Sequence, residues 1–195
     1  MPAASPQPVD PATAADGFSV NSPMEALMAA WPGARRALFA KFHIGGCSSC
    51  GFQPGESLAD VCTRHDTDPA EALAHLRAAA IQDAALAITP AALRDMLASA
   101  TPPAVIDIRT REEHEPVAIP GSMFFTEDLQ RAIFATWEKS AAIVIHDHTG
   151  TRALDMAAWF AGHGMTNTRA LTGGIDAFSR EVDPLLPRYR IEIDP

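Results

Sequence analysis

The chain has 195 residues, of which 47% are apolar, and its formal net charge at pH 7 is −9. The apolar fraction supports a folded core, and the length allows one ordinary domain or two small ones. Both halves are acidic, and neither has a basic run or an apolar stretch of bilayer length, so neither nucleic acid nor a membrane is an expected partner.

The N-terminal residues predict a tail rather than a folded element. Residues 1–22 are rich in proline, alanine and aspartate and show no sustained period. They also lack the basic and apolar segments of a secretory signal. We therefore expect a cytoplasmic, reducing location, in which the three cysteines are thiols or metal ligands rather than disulfide partners.

Residues 23–82 predict a small all-helical domain. A first helix follows Ser22-Pro23 and ends at Pro32-Gly33. Three further helices place apolar residues on one face at helical spacing. Their inward positions are Ala34, Leu38, Phe39 and Phe42; Leu58, Val61, Cys62 and His65; and Ala72, Leu73, Leu76 and Ala80.

A glycine-flanked turn in this region carries Cys47 and Cys50. A Cys-x-x-Cys turn suits redox exchange, sulfur handling or two positions of a metal site. The flanking glycines leave little core for these side chains to fill, which favours a functional role. Residues 24–79 resemble the small DUF1858-type helical domains, which have a similar Phe-x-x-x-Gly-Cys-x-x-Cys turn. That resemblance implies an architecture more than a function.

Cys62 and His65 extend the cysteine pattern to Cys-x2-Cys-x11-Cys-x2-His. That spacing allows a zinc site with three cysteines and one histidine, or an iron–sulfur centre on the cysteines. A simpler reading places Cys62 in the core, because it shares an apolar helix face with Leu58 and Val61. We favour the core for Cys62.

From residue 83 the pattern changes to alternating strands and helices. Strands are predicted at 86–88, 104–108 and 142–146, and helices after Thr89-Pro90, at 126–137 and at 151–163. The last helix is apolar on nearly every side, so we expect it to be buried. The alternation predicts an α/β domain over 83–183, with a parallel sheet and helices on both faces, followed by a tail at 184–195.

The loop after the clearest strand is the predicted site, because sites in parallel sheets form at the carboxyl ends of strands. Such a loop points several N–H groups inward at a helix N-terminus and can hold an anion. The alternative is a plain turn in which Asp147 caps the helix. His146 and His148, on either side of Asp147, are expected to be exposed bystanders. The loop residues are Asp147, His148, Thr149, Gly150, Thr151 and Arg152.

Four motifs follow one another between about Ile88 and Phe178. They are the strand that contains Asp107 and Arg109, Glu112-Glu113 with Pro120-Gly121, the loop Asp147–Arg152, and Leu171–Phe178 with its Gly-Gly pair. With these motifs in this order, the segment resembles a rhodanese domain. The family's loop reads Cys-x-x-Gly-x-Arg, and Asp147 stands at the cysteine. The resemblance implies an inactive sulfurtransferase module, since rhodaneses carry sulfur on that cysteine and a carboxylate cannot.

The same loop also resembles the aspartyl-phosphate motif of haloacid-dehalogenase-type phosphatases. Their chemistry needs a downstream lysine and an acidic pair that holds magnesium. No lysine follows Asp147, so this reading is the weaker one.

Two functions remain open. The first is sulfur relay or thiol redox, with Cys47 or Cys50 as the reactive thiol and a sulfur-carrying or redox protein as partner. The second is a non-enzymatic binding or regulatory module that holds zinc or an iron–sulfur centre on the cysteines.

Overall fold

The structure is a computed structural model that describes residues 17–46 and 51–189. Cys47 and Cys50 lie outside the described residues, as do most of the predicted N-terminal tail and residues 190–195. The chain divides into two compact units, one ending at Ala85 and the other beginning at Leu86. The boundary predicted from the sequence lies after Gln82.

The first unit is helical. It contains α1 (Met24–Ala30), α2 (Ala34–Phe42), α3 (Leu58–Arg64) and α4 (Pro69–Leu86), the last of which reaches the boundary. Ser57 caps α3 in a capping box with Asp60. The core contains the inward side chains of all four helices, among them Met24, Leu27, Trp31, Leu38, Leu58, Val61, Cys62 and Leu76.

Two details of this unit differ from the sequence predictions. Phe39 was expected to point inward but is 49% exposed, because Ala34, Ala37 and Leu38 already fill the buried face of α2. Leu86 was expected in a strand, but α4 extends through it. The alanine-rich run before Leu86 has high helix propensity, which explains the longer helix.

The second unit alternates strands and helices. Its strands are β1 (Ala87–Ile88), β2 (Ala104–Asp107), β3 (Met123–Phe124), β4 (Ile143–His146) and β5 (Thr168–Leu171). Its helices are α5 (Pro90–Leu97), α6 (Arg111–His114), α7 (Glu127–Thr136), α8 (Thr151–Gly162) and α9 (Gly174–Glu181). Thr89 and Thr126 cap α5 and α7 through their side chains. Strands β3 and β5 and helices α6 and α9 were not predicted from the sequence.

All strand pairs in this sheet are parallel, and the strand order is β1-β5-β4-β2-β3. Alternate residues of each strand face opposite sides of the sheet. Ile106 and Ile145 pack with residues of α7 and α8, whereas Val105 and Val144 pack with residues of α5 and α9. The predicted α/β fold, with a parallel sheet and helices on both faces after an N-terminal helical region, is confirmed.

Helix α8 is less buried than predicted. Ala153, Leu154, Ala157 and Phe160 form its buried face, but Trp159 is 39% exposed. A helix on the face of a sheet has one side toward solvent, and here apolar residues occupy part of that side. Within the described residues, no helix is long and apolar enough to cross a membrane.

Candidate functional site

The site lies where the strand order reverses direction. From β2 the chain proceeds outward to β3, whereas from β4 it proceeds to β5 on the other side. β2 and β4 are neighbours, with Asp107 paired to His146 in register. Their carboxyl ends therefore form the crevice in which parallel α/β sheets place their ligands.

Asp147 occupies the centre of the loop that follows β4. Its Oδ1 accepts the N–H of Gly150, and its Oδ2 accepts the N–H of Arg152 at 3.0 Å. The residue is only 4% exposed. Two N–H groups at the start of α8 thus point at the negative charge of the Asp147 carboxylate. The dipole of the helix favours a negative charge at this end.

Two glycines allow this loop to pack closely on the turn that follows β5. Gly150 has φ +92°, and a Cβ there would lie 2.7 Å from the backbone nitrogen of Gly173. Gly174 has φ +58°, and a Cβ there would lie 2.5 Å from the carbonyl oxygens of Asp147 and His148. The Ile175 N–H donates to the Asp147 carbonyl at 2.9 Å. The Gly-Gly motif therefore supports the loop directly.

A second carboxylate lies at the end of β2. Asp107 is fully buried and accepts hydrogen bonds from Arg109 Nε at 2.9 Å and from the Arg109 N–H at 3.0 Å. Its Oδ2 lies 2.8 Å from His114 Nδ1. Burial alone would raise the pKa of Asp107, but the Arg109 guanidinium and the nearby histidines hold it below the usual value.

His146 adjoins this carboxylate from β4. Its side chain is fully buried, and its Nε2 lies 3.7 Å from Asp107 Oδ2. Nε2 has no hydrogen-bond partner within the described part of the chain. Burial lowers the pKa of His146 to about 4, so the imidazole is neutral at pH 7. The prediction of an exposed histidine is wrong here, because His146 is the last residue of a strand covered on both faces.

A cleft opens beside the loop at the start of α8. It has a volume of about 410 Å³ and is lined by Ile108, Gln130, Arg152, Asp155, Met156 and Trp159. Arg152 and Asp155 supply opposite charges, and Met156 and Trp159 supply apolar surface. This combination suits a peptide-like ligand with both polar and apolar groups.

The family model for the rhodanese-like domain matches residues 89–181. Residues 89–181 form a rhodanese-like domain. The matched range contains the crevice, the loop and its Gly-Gly support. The sequence prediction of this domain is confirmed, whereas the DUF1858 likeness of the helical unit stays a prediction.

A curated relative is the chloroplastic rhodanese-like/PpiC domain-containing protein 12 of Arabidopsis thaliana. It is 32% identical to this chain over 95 residues, covering 44% of this chain and 30% of that protein. This chain therefore matches less than a third of the relative's length.

Two solved structures are similar to the rhodanese-like domain. A rhodanese-like domain protein of Staphylococcus aureus has a TM-score of 0.43 and 23% identity, covering 49% of this chain and 93% of that one. A rhodanese-like domain from Anabaena has a TM-score of 0.44 and 18% identity, covering 56% and 90%.

The structure separates the predicted site residues into two groups. Asp107, Arg109 and the loop Asp147–Arg152 meet in the rhodanese-like domain at the carboxyl ends of β2 and β4. Cys62 belongs to the helical unit, where it is a free thiol buried among core residues, and burial raises its pKa. No group of three metal-ligating side chains occurs among the described residues, a set that does not include Cys47 and Cys50.

Sequence reasoning missed two residues that complete the crevice. His114 reaches Asp107 from the short helix α6, which had no predicted pattern. Tyr189 OH accepts from Arg109 Nη1 at 2.6 Å and donates to Glu113 Oε1 at 2.8 Å. One signal was available for Tyr189, since it is the chain's only tyrosine.

Proposed function

We propose that this protein acts in sulfur relay or thiol redox through Cys47 and Cys50, and that its rhodanese-like domain is not itself a sulfurtransferase. In this proposal Asp147 stands where sulfur-carrying rhodanese domains have their cysteine. The observation that supports it is the Asp147 carboxylate, which accepts the N–H groups of Gly150 and Arg152. Those donors would otherwise stabilise a thiolate or an incoming anion.

The proposed chemistry is thiol exchange. The thiolate of Cys47 or Cys50 attacks the outer sulfur of a persulfide on a partner protein, and the partner leaves as a thiolate. The new persulfide then passes its outer sulfur to an acceptor thiolate, which restores the cysteine. Both steps need a reducing compartment such as the cytoplasm, where free thiols persist.

The rhodanese-like domain then has a docking role. Its cleft offers a cation at Arg152, a carboxylate at Asp155 and apolar surface at Met156 and Trp159. A carboxylate fixed in the neighbouring loop disfavours small anions such as thiosulfate there by charge repulsion. The proposed ligand is a polypeptide segment of the sulfur-carrying or redox partner.

A thiosulfate:cyanide sulfurtransferase assay tests the assignment of Asp147. We expect negligible thiocyanate formation by the wild type and measurable activity from Asp147→Cys, in which a thiol replaces the carboxylate in the same cradle. A variant with Cys47, Cys50 and Cys62 all changed to serine is the control. Wild-type turnover that persists in this triple variant would place sulfur chemistry in the rhodanese-like domain and contradict the proposal.

One observation favours the second candidate, a metal-holding binding module. His65 Nε2 is buried and has no hydrogen-bond partner among the described residues, and an imidazole nitrogen of this kind can serve as a metal ligand. The full burial of Cys62 among aliphatic core residues argues against its sharing that metal.

Metal analysis of anaerobically purified protein separates the two candidates. Stoichiometric zinc or iron, with all cysteines protected until a chelator is added, would establish the binding module. Metal-free protein in which Cys47 and Cys50 are alkylated faster than Cys62 would support the relay, because Cys62 is buried and its pKa is raised.

A further inference from the structure

The segment after α9 runs back along that helix toward the crevice. The Asp183 N–H donates to the Phe178 carbonyl at 3.1 Å, and Ser179 Oγ donates to the Leu186 carbonyl at 2.7 Å. Arg188 Nε then donates to Asp176 Oδ1 at 2.8 Å, in the first turn of α9. We call residues 183–189 the strap. Its direction brings Tyr189 to the carboxyl ends of the strands.

Tyr189 inserts its phenol between charged and aromatic groups of the crevice. The hydroxyl accepts from Arg109 Nη1 at 2.6 Å and donates to Glu113 Oε1 at 2.8 Å. Its ring lies against the His148 ring with 4.7 Å between centroids. A phenol satisfies both partners at once, since its oxygen accepts from a cation while its proton goes to a carboxylate.

The groups that hold this phenol are positioned by other parts of the domain. Asp107 binds the Arg109 side chain, which is 1% exposed, and Glu113 accepts the N–H of Thr110 at 3.1 Å in the capping box of α6. His148 belongs to the loop that Gly174 supports. The pocket therefore does not depend on Tyr189 for its shape, which is the property of a preorganised binding site.

The strap itself is weakly attached. Between α9 and Tyr189 the chain forms no helix or strand, Leu185 is 91% exposed, and the Arg188–Asp176 ion pair is open to solvent on the arginine side. Segments with few buried contacts open locally at low free-energy cost. Leu186, the phenol of Tyr189 and the three hydrogen bonds to α9 attach it to the domain.

We propose that Arg109, Glu113 and His148 form a phenol-binding pocket that the chain fills with its own Tyr189, and that the strap is a releasable cover over the loop. The ligand class is a tyrosine side chain, supplied in cis. Release uncovers the His148 ring and the Arg109 Nη1 group that the phenol contacts. The proposal does not depend on chemistry at Cys47 and Cys50.

Chemical complementation tests the pocket directly. Tyr189→Gly should lower the thermal unfolding midpoint of the full chain, and 4-methylphenol should restore it in a concentration-dependent way. Toluene, which has the same ring without the hydroxyl, should restore much less, because it replaces neither the hydrogen bond from Arg109 Nη1 nor the one to Glu113 Oε1. Leu185→Gly is the matched control, since it changes an exposed residue of the same strap. Its unfolding midpoint should stay near that of the wild type and should not change when 4-methylphenol is added.

Two results would overturn the proposal. One is a midpoint of Tyr189→Gly that 4-methylphenol does not raise, or raises no more than it raises those of the wild type and Leu185→Gly. The other concerns the source of the phenol and is read by sedimentation over a range of protein concentrations. A wild-type dimer that Tyr189→Gly converts to single chains would show that a second copy supplies the tyrosine, whereas single chains in both proteins support occupation in cis.

Discussion

Two buried carboxylates end neighbouring strands of the sheet, and the protein compensates their charges differently. Asp107 is held by side chains, chiefly the Arg109 guanidinium with His114 beside it. Asp147 is held by the backbone N–H groups of Gly150 and Arg152. The guanidinium is a full charge that is itself buried, so it needs this particular carboxylate. The N–H dipoles are part of a helix start and can accept another anion. We therefore expect Asp107 to be needed for the structure of the crevice, and Asp147 to occupy a position that another anion can fill.

The largest effect is expected from removal of the Asp107 carboxylate. Asp107→Ala leaves the Arg109 charge buried without its partner, and we expect a loss of about 3–5 kcal/mol in the free energy of unfolding, measured with urea. Asp95→Ala breaks an exposed ion pair with Arg94 and should change little. If Asp107→Ala does not fold, Asp107→Asn retains an acceptor oxygen and gives the measurement. A loss no larger than that of Asp95→Ala would contradict the structural role.

The next effect is a pH dependence from His146, which faces Asp107 and lies near Arg109 and His114. Its pKa is lowered to about 4 in the folded protein, against 6.5 ordinarily. As the pH falls from 6.5 to about 4, the unfolded chain takes up a proton that the folded protein does not, so the free energy of unfolding falls. The full shift corresponds to a loss on the order of 3 kcal/mol. Asp107 stays ionised over this pH range, because its own pKa is lowered from 3.8.

His146→Leu tests this pH dependence, because leucine suits the aliphatic strand β4 and cannot titrate. We expect the unfolding free energy of this variant to fall less between pH 6.5 and 4 than that of the wild type. His163→Gln changes an exposed histidine at the end of α8 and should leave the slope unchanged. Equal slopes in all three proteins would show that His146 takes up its proton over the same pH range in the folded protein as in the unfolded chain, which would contradict the lowered pKa.

Local sequence patterns predicted the elements that create the crevice but not the contacts that fill it. The apolar runs before Asp107 and Asp147 predicted β2 and β4, and Thr89 and Thr126 predicted the starts of α5 and α7. Two-residue β3 has too few positions to show a period. The histidine and tyrosine contacts of the crevice depend on tertiary structure, as in the bond between Tyr189 and Glu113, 76 residues apart.

A smaller effect is expected at Asp147, where the partners are neutral. Asp147→Ala removes the acceptor for two N–H groups, and we expect a loss of about 1–2 kcal/mol, the range for a helix cap. Asp147→Asn retains the shape and one acceptor oxygen, so it should fall between the alanine variant and the wild type. Thermal unfolding of the three proteins checks the order. A loss at Asp147→Ala as large as that of Asp107→Ala would remove the distinction between the two carboxylates.

The smallest effect is the one that separates an exchangeable anion position from a plain helix cap. In Asp147→Ala the N–H groups of Gly150 and Arg152 face a vacated space at the start of α8, and sulfate should bind there. Binding at a tenfold excess over Kd contributes about 1.4 kcal/mol, enough to recover much of the loss. Sulfate also stabilises proteins in general by its exclusion from their surfaces, so the control is Cys62→Ala, a destabilised variant in the core of the helical unit. The expected result is a sulfate-dependent rise in the midpoint of Asp147→Ala that saturates and exceeds the rises of the wild type and Cys62→Ala. Equal rises in all three would mean that the loop holds no anion once its own carboxylate is removed, and that Asp147 is only the cap of α8.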